Sequence, residues 1–243
     1  MIDIHSHIIF AVDDGPKTLE DSLQLIAESY RQGVRTIVAT SHRRKDMFET
    51  PEEKIHVNFL KVKEAVKSRF ADLTLVYGGE LYYTEDLRQK LESGLAPNMG
   101  ETRYVLIEFS KTTPWREIEQ ALTKILLLGI TPIVAHIERY DALDSKPERV
   151  QKIINMGCYT QVNSNHVLKP KLFGDGEKIF KVRGRYFLEQ DLVHCIASDM
   201  HNLDKRPPYM EQAYQQVAKL FGESRAQALF KENAACLLRD EIL

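Results

Sequence analysis

The sequence predicts an α/β fold in which seven strand–helix repeats make a closed or nearly closed (β/α) barrel, one unit short of the eight-fold version. Three observations carry this expectation. Short β-branched runs recur along the chain, and each is too short and too continuously apolar for a two-faced antiparallel ribbon, so each reads as a buried parallel strand. Longer helical patterns alternate with them. No Pro/Gly/Ser-rich linker, low-complexity run or repeat of fixed period interrupts the 243 residues, which favours a single domain over 1–243.

The strands are expected over 2–4, 36–39, 73–77, 104–109, 131–135, 159–162 and 193–197. The first two enclose a helix over 18–32, and the next follows a helix over 52–69 that opens on Thr50-Pro51-Glu52-Glu53. A helix over 84–93 precedes the fourth strand. Thr113-Pro114 starts one over 114–128, and Ser145-Lys146-Pro147-Glu148 one over 147–155. Each of these starts places a capping residue beside proline and acidic first-turn residues. A helix over 177–189 leads to the last strand, and two more, near 208–221 and 224–231, close the chain. Gly33, Gly129 and Gly157 stand where helices should stop.

Composition narrows the function classes. Lys and Arg number 33 against 35 Asp and Glu, a formal charge of −2, which argues against affinity built on coating nucleic acid phosphates or an anionic membrane. The N-terminus has no basic region followed by a long apolar stretch, and the longest apolar run, around 125–130, is far short of the roughly 20 residues of a membrane span. The chain therefore reads as soluble and cytoplasmic. Three cysteines, Cys158, Cys195 and Cys236, without any CxxC, suit packing better than a disulfide framework or a thiolate zinc site.

Chemistry concentrates at the strand exits. Six of the seven predicted strands end in residues able to hold a metal: His5 and His7, His42, Glu80, Glu108, His136, then Asp199 with His201. In a parallel barrel the C-terminal strand ends converge on one mouth. Alternation along the first strand puts His5 and His7 on one face, where a cation would relieve their mutual repulsion. The plain alternative is a pair of core histidines held by hydrogen bonds, and for Glu80 and Glu108 an ion pair with a buried cation. Similar accidents at six strand ends out of seven are not expected. Asp13 and Asp14, in Asp13-Asp14-Gly15-Pro16, can each return a carboxylate to the mouth, and the pattern does not choose between them. His56 and His194 read as structural, while His166, after the sixth strand, is undecided. Nitrogen and carboxylate donors without thiolate suit manganese, iron or zinc.

These residues resemble those of the polymerase and histidinol phosphatase (PHP) superfamily: HSH at 5–7, SH at 41–42, GGE at 78–80, Glu108, AHIERY at 135–140 and SDMH at 198–201. DDGPKT at 13–18, TSHRR at 40–44, GGELYYT at 78–84 and ASDMHN at 197–202 are more specifically similar to the metal-dependent protein-tyrosine phosphatases of Gram-positive capsular polysaccharide loci, the CpsB type. The resemblance covers essentially the full chain. It implies a distorted seven-stranded (β/α)7 TIM-like barrel with a metal cluster at its C-terminal mouth, holding up to three divalent ions, manganese by expectation. His5, His7, Glu80 and Asp199 would hold one ion. Glu80, bridging, would hold a second with Glu108 and His136, and Asp14, His42 and His201 the third.

The activity so implied is hydrolysis of phosphotyrosine on the Tyr-rich C-terminal tail of an autophosphorylating kinase that regulates capsular or exopolysaccharide biosynthesis. A metal-bridging hydroxide would attack phosphorus. Arg139 and Arg206, three and five residues beyond His136 and His201, are the expected phosphate-binding groups, and Arg43 and Arg44 an expected basic rim. A cysteine-dependent mechanism is excluded by spacing, because the residue six after Cys158 is Ser164 and six after Cys195 is His201, where that chemistry needs Arg. The alternatives are histidinol-phosphate hydrolysis on the same fold, a more distant amidohydrolase, and a regulator that binds the kinase tail without turning it over.

Overall fold

Runs that are apolar on both faces become parallel strands here because helices cover one side and the strands' own side chains fill the other. The computed structural model describes all 243 residues. Nine strands form: β1 (Ile2–Ser6), β2 (Thr36–Ala39), β3 (His42–Arg43), β4 (Thr74–Tyr77), β5 (Glu80–Tyr82), β6 (Tyr104–Glu108), β7 (Thr131–Val134), β8 (Tyr159–Asn163) and β9 (Cys195–Ala197). All pairings between these strands are parallel, in two sheets ordered β1-β2-β4 and β3-β5-β6-β7-β8-β9.

Every predicted strand is present, and two short strands that were not expected, β3 and β5, follow the second and third after two-residue breaks. Thr40 and Ser41 separate β2 from β3, and Gly78 and Gly79 separate β4 from β5. Hydrogen bonding explains the first break. Thr40 N donates to Ser6 O (2.8 Å) and Ser6 N to Thr40 Oγ1 (2.9 Å), so polar side chains replace the regular ladder. At the second break there is no room for side chains: a Cβ at Gly78 would lie 3.1 Å from Val38 Cγ1, and one at Gly79 3.0 Å from Pro97 Cγ. Beyond the breaks His42 pairs directly with Glu80. Asp199 N donates to His5 O (2.8 Å) and His7 N to Met200 O (2.9 Å), so the exit of β9 is bonded to the exit of β1. A register shift in β1 between Asp3 and Ser6 marks an irregularity of the kind that re-aims side chains.

Helices α1 (Leu19–Arg31), α2 (Glu52–Arg69), α3 (Leu87–Glu92), α4 (Trp115–Leu126), α5 (Pro147–Asn155), α6 (Lys178–Glu189) and α7 (Met210–Phe221) follow the expected spans. In α4 the buried residues Ile118, Ala121, Leu122 and Ile125 make one apolar stripe at i, i+3, i+4 and i+7. The predicted caps differ from what forms. Thr50 Oγ1 donates to Val12 O (2.8 Å), Ser145 Oγ lies against Asp144, and α2, α4 and α5 start without a side-chain cap; the preset φ of Pro51, Pro114 and Pro147 serves instead. The capping box belongs to α1, where Thr18 and Asp21 bond each other's backbone N–H groups. Gly33, Gly129 and Gly157 take positive φ at the expected stops.

The final helix runs beyond 231, as α8 (Glu223–Gln227), a π-helical turn Ala228–Glu232 and α9 (Asn233–Leu238). Burial drives the extension. Ala234 and Leu237 of α9 join Ile4, Val38, Leu106, Ile133 and Ala197 in an inner cluster of 12 buried residues, separate from the 45-residue core between strands and helices. Helix α6 packs tightly under the segment that follows β8: a Cβ at Gly184 would come within 2.9 Å of the His166 carbonyl oxygen and 3.3 Å of Val162 Cγ1. Gly184→Ala is therefore expected to destabilise the fold by about 1–3 kcal/mol through overpacking. Thermal denaturation should show a melting temperature lower by several degrees, and an unchanged value would contradict the contact.

Candidate metal centre

All nine sequence-selected donors meet at the strand exits. His5 and His7 come from the end of β1, His42 and Glu80 open β3 and β5, and Glu108 closes β6. His136 follows β7, Asp199 and His201 follow β9, and Asp14 lies on the loop after β1. His136 (φ 31°) and Asp199 (φ 52°) hold left-handed backbone, strained for residues with side chains, at the two points where the chain must turn to aim a donor inward.

Glu80, fully buried, sits among four imidazoles. Its Oε1 lies 2.9 Å from His136 Nε2 and 3.3 Å from His5 Nε2, and its Oε2 is 2.8 Å from His42 Nδ1 and 3.3 Å from His7 Nε2. Asp199 Oδ1 approaches His5 Nε2 (3.4 Å) and His7 Nε2 (3.5 Å). Asp14 Oδ1 is 3.2 Å from His201 Nε2 and 3.6 Å from His42 Nε2. Glu108 lies within 3.7 Å of His42 Nδ1 and 3.8 Å of His136 Nε2. Four donor groups, each with its ligand atoms within 4.8 Å of one another, can be drawn from these residues: His7, Asp14, His42 and His201; His5, His136 and Asp199; His5, His7 and Glu80; His42, Glu80 and Glu108.

The donor chemistry fits divalent cations. His7 Nδ1 donates to Asp13 Oδ2 (2.9 Å), His5 Nδ1 to Gln161 Oε1 (3.1 Å) and His201 Nδ1 to the Asp199 carbonyl (2.9 Å), which turns each Nε2 toward the centre, where a cation could take the place of its proton. Five buried atoms of the cluster, Glu80 Oε2, Glu108 Oε2, His42 Nδ1, His136 Nδ1 and His201 Nε2, have no hydrogen-bond partner. His42 Nδ1 and Glu80 Oε2 come to 2.8 Å without the alignment of a hydrogen bond. Unpaired buried groups of this kind are costly, and a cation satisfies several at once.

The ionisation pattern agrees. Burial and the neighbouring Glu80 charge push Glu108 up to about 8. Burial opposes charge on His7, but Asp13 and Glu80 overcome it and raise its pKa to about 10. Burial and the proximity of His7 lower His201 to about 4. Despite burial, His5, His42 and His136 hold Glu80 well below the ordinary carboxylate range.

The loop after β1 divides its two carboxylates. Asp14 enters the donor cluster, whereas Asp13 accepts from His7 Nδ1, the His42 backbone N–H (3.0 Å) and the Gly15 N–H (3.0 Å), fixing the first two donors in place. Gly15 permits this approach, since a Cβ there would be 2.7 Å from His7 O. Residues with no charge do comparable positioning. Gln161 Oε1 also accepts from His136 N (2.8 Å), and Asn163 Nδ2 donates to Asp199 Oδ2 (2.8 Å). Both amides lie on β8, the one predicted strand without a charged donor at its end, and their alternate spacing on an apolar strand was the available signal.

The three remaining histidines separate cleanly. His56 is exposed on α2, edge-on to Tyr77, and His194 accepts from Thr160 N while burial lowers it to about 4. His166 is buried and structural: Glu138 Oε1 lies 2.6 Å from its Nδ1, and despite burial this partner raises its pKa to about 9. The arginines divide as well. Arg139 Nη1 reaches Asp199 Oδ2 (3.3 Å), and Arg206 reaches both Asp199 (3.1 Å) and Asp14 (3.2 Å), each with about a third of its side chain in solvent, 35% and 33%. Arg43 is not a free rim cation as expected: it is held by both Glu52 carboxylate oxygens (2.7 and 3.0 Å) and donates to Ser41 O. Arg44 instead lies over the Tyr82 ring, 4.2 Å from its centroid. Burial pushes the Cys158 and Cys195 thiols up to about 12, far from thiolate chemistry.

Residues 1–239 match the family described as capsular polysaccharide synthesis, CpsB/CapC. The chain is 60% identical, over all 243 residues and the full length of both proteins, to the tyrosine-protein phosphatase CpsB of Streptococcus agalactiae serotype V, and equally to that of Streptococcus pneumoniae. Among solved structures, one from the study of YwqE from Bacillus subtilis and CpsB from S. pneumoniae, described as unique metal-dependent tyrosine phosphatases, superposes with a TM-score of 0.87 at 30% identity, covering all of this chain and 96% of the other.

Two outcomes follow from the geometry. Asp13→Asn keeps the size but weakens the acceptor that orients His7, and metal affinity, read by titrating the metal-free protein, should fall by about 10–100-fold; unchanged affinity would remove Asp13 from that part. His166 has a folded pKa of about 9 against 6.5, so its contribution to stability is fully present below pH 6.5 and is lost as pH rises through 9. The stability gap between wild type and His166→Gln, measured by urea unfolding, should shrink from pH 6 to pH 9.5, and a constant gap would contradict the ion pair.

Proposed function

The chain belongs to the CpsB/CapC capsular polysaccharide synthesis family, is a metal-dependent protein-tyrosine phosphatase, and from that premise we propose how its residues divide the work and what it acts on. His5, His7, Asp14, His42, Glu80, Glu108, His136, Asp199 and His201 hold up to three divalent ions, manganese in this reading, at the mouth of a distorted seven-stranded barrel. The observation that carries the assignment is the convergence of these donors with five of their buried polar atoms unpaired.

Bound ions supply Lewis acidity, lowering the pKa of water and clamping phosphoryl oxygens for in-line displacement. The chain's own residues do the rest. Asp13, Gln161 and the Asp199 carbonyl keep the Nδ1 atoms of His7, His5 and His201 protonated, so the Nε2 atoms remain donors. Arg139 and Arg206, poised at Asp199, bind the phosphoryl oxygens as forked donors. The tyrosine phenol, with an ordinary pKa near 10, leaves without the proton that a much more basic aliphatic alkoxide demands.

The substrate in this proposal is phosphotyrosine on the C-terminal tail of the tyrosine kinase that regulates capsule or exopolysaccharide synthesis, met in the cytoplasm. A disordered tail suits an open mouth, and no helix of this chain is long and apolar enough to cross a membrane. Phosphate release from phosphotyrosyl peptide, phosphoseryl peptide and histidinol phosphate, each with added manganese and with chelator, tests it. Metal-dependent release with phosphotyrosine preferred is expected; turnover that survives exhaustive chelation, or equal hydrolysis of all three, overturns it. Arg139→Ala should lower kcat/KM on aryl phosphates by about 10²–10³, whereas replacing all three cysteines should leave it near wild type.

A further inference from the structure

A groove of about 240 Å³ opens beside the metal centre, between the turn over 44–48 and helix α3. It adjoins the centre across Phe48, whose ring stacks on the His42 imidazole at 4.8 Å and only 3° from parallel while also lining the groove. The strands set the same adjacency: His42 and Glu80 head β3 and β5, and the next residue of each, Arg43 and Leu81, lines the groove. Its volume is below the roughly 300 Å³ at which small-molecule pockets begin, and suits one or two peptide side chains.

Apolar and cationic surface meet there. Leu81 and Leu87 are buried in its wall, and Leu95 stands 68% exposed at its edge. The charges do not cancel. Arg43 is matched by Glu52 and Lys90 by Asp86, but Arg44 and Lys45 take part in no salt bridge, and Glu49 is the one remaining carboxylate in the lining. An antiparallel bridge from Arg44 to Phe48 and the left-handed Asp46 (φ 64°) fix the turn that presents them.

Resting on the phosphatase reading above, we propose that this groove is a peptide subsite that takes an acidic segment with an apolar side chain, flanking the phosphotyrosine in the substrate. The unmatched cations select acidic residues, and the exposed Leu95 takes the apolar one. Selectivity then arises beside the reacting phosphate, so it acts on KM more than on kcat.

The test compares phosphotyrosyl peptides with acidic, neutral and basic flanks against p-nitrophenyl phosphate, which has no flanking residues, for the metal-loaded wild type, Lys45→Glu and Leu95→Asp. The wild type should prefer acidic flanks, and added salt should erode that preference. Each variant should lose about tenfold in kcat/KM on the acidic peptide, through KM, relative to p-nitrophenyl phosphate. A wild type indifferent to flanking charge overturns the subsite alone, as does a variant that loses peptide and p-nitrophenyl phosphate turnover equally. A wild type that hydrolyses no aryl phosphate overturns the phosphatase reading and the subsite with it.

Discussion

The structure is organised around one costly act, the burial of the Glu80 carboxylate amid His5, His7, His42 and His136. Isolated charge in an apolar interior is prohibitive, so each group here needs a partner in place before the site is worth forming. Much of the polar interior serves that need. Asp13 and Gln161 orient imidazoles, Asn163 meets Asp199, and the backbone accepts left-handed strain at His136 and Asp199 to bring their side chains in. A cation bound at the centre would let these donors tolerate one another without protonation.

The parallel strand array makes such burial feasible. Its exits gather residues from 5 to 201 within a few ångströms, and its inner cluster, sealed by Ala234 and Leu237 of α9, gives the donors a dry floor. The two strand breaks belong to the same design. They set His42 and Glu80 in register with each other on a second sheet that continues to β9, whose exit is bonded back to His5 and His7.

Charged and periodic features were legible in the sequence, and neutral or three-dimensional ones were not. His5, Glu80 or Asp199 stands out because an ionisable residue at the end of an apolar strand must find a partner there, and the same need recurs at six strand ends. Gln161 and Asn163 give no such alarm, since an amide can hide in a strand by bonding backbone. Asp13 and Asp14 are adjacent and chemically identical, so only the chain's path past Gly15 separates orienting group from donor. Arg43 and Arg44 likewise differ by which way they point: Glu52, nine residues on, captures the first. The predicted cap at Thr50 failed for a related reason, because its hydroxyl turns to donate to Val12 O, a contact no local pattern records.

Exposure divides the site into two electrostatic zones with different consequences. His5, His7 and Glu80 are wholly buried, so their mutual interactions are strong and their partners cannot be exchanged cheaply. Asp14, Arg139 and Arg206 keep 44%, 35% and 33% of their side chains in solvent, where an ion pair is worth little net free energy. Arg206 can therefore leave Asp14 at small cost, whereas the hold of both arginines on Asp199, only 5% exposed, is stronger. The mouth thus joins a dry cluster of donors beneath to partly solvated guanidinium groups above, with Asp199 as the carboxylate common to both.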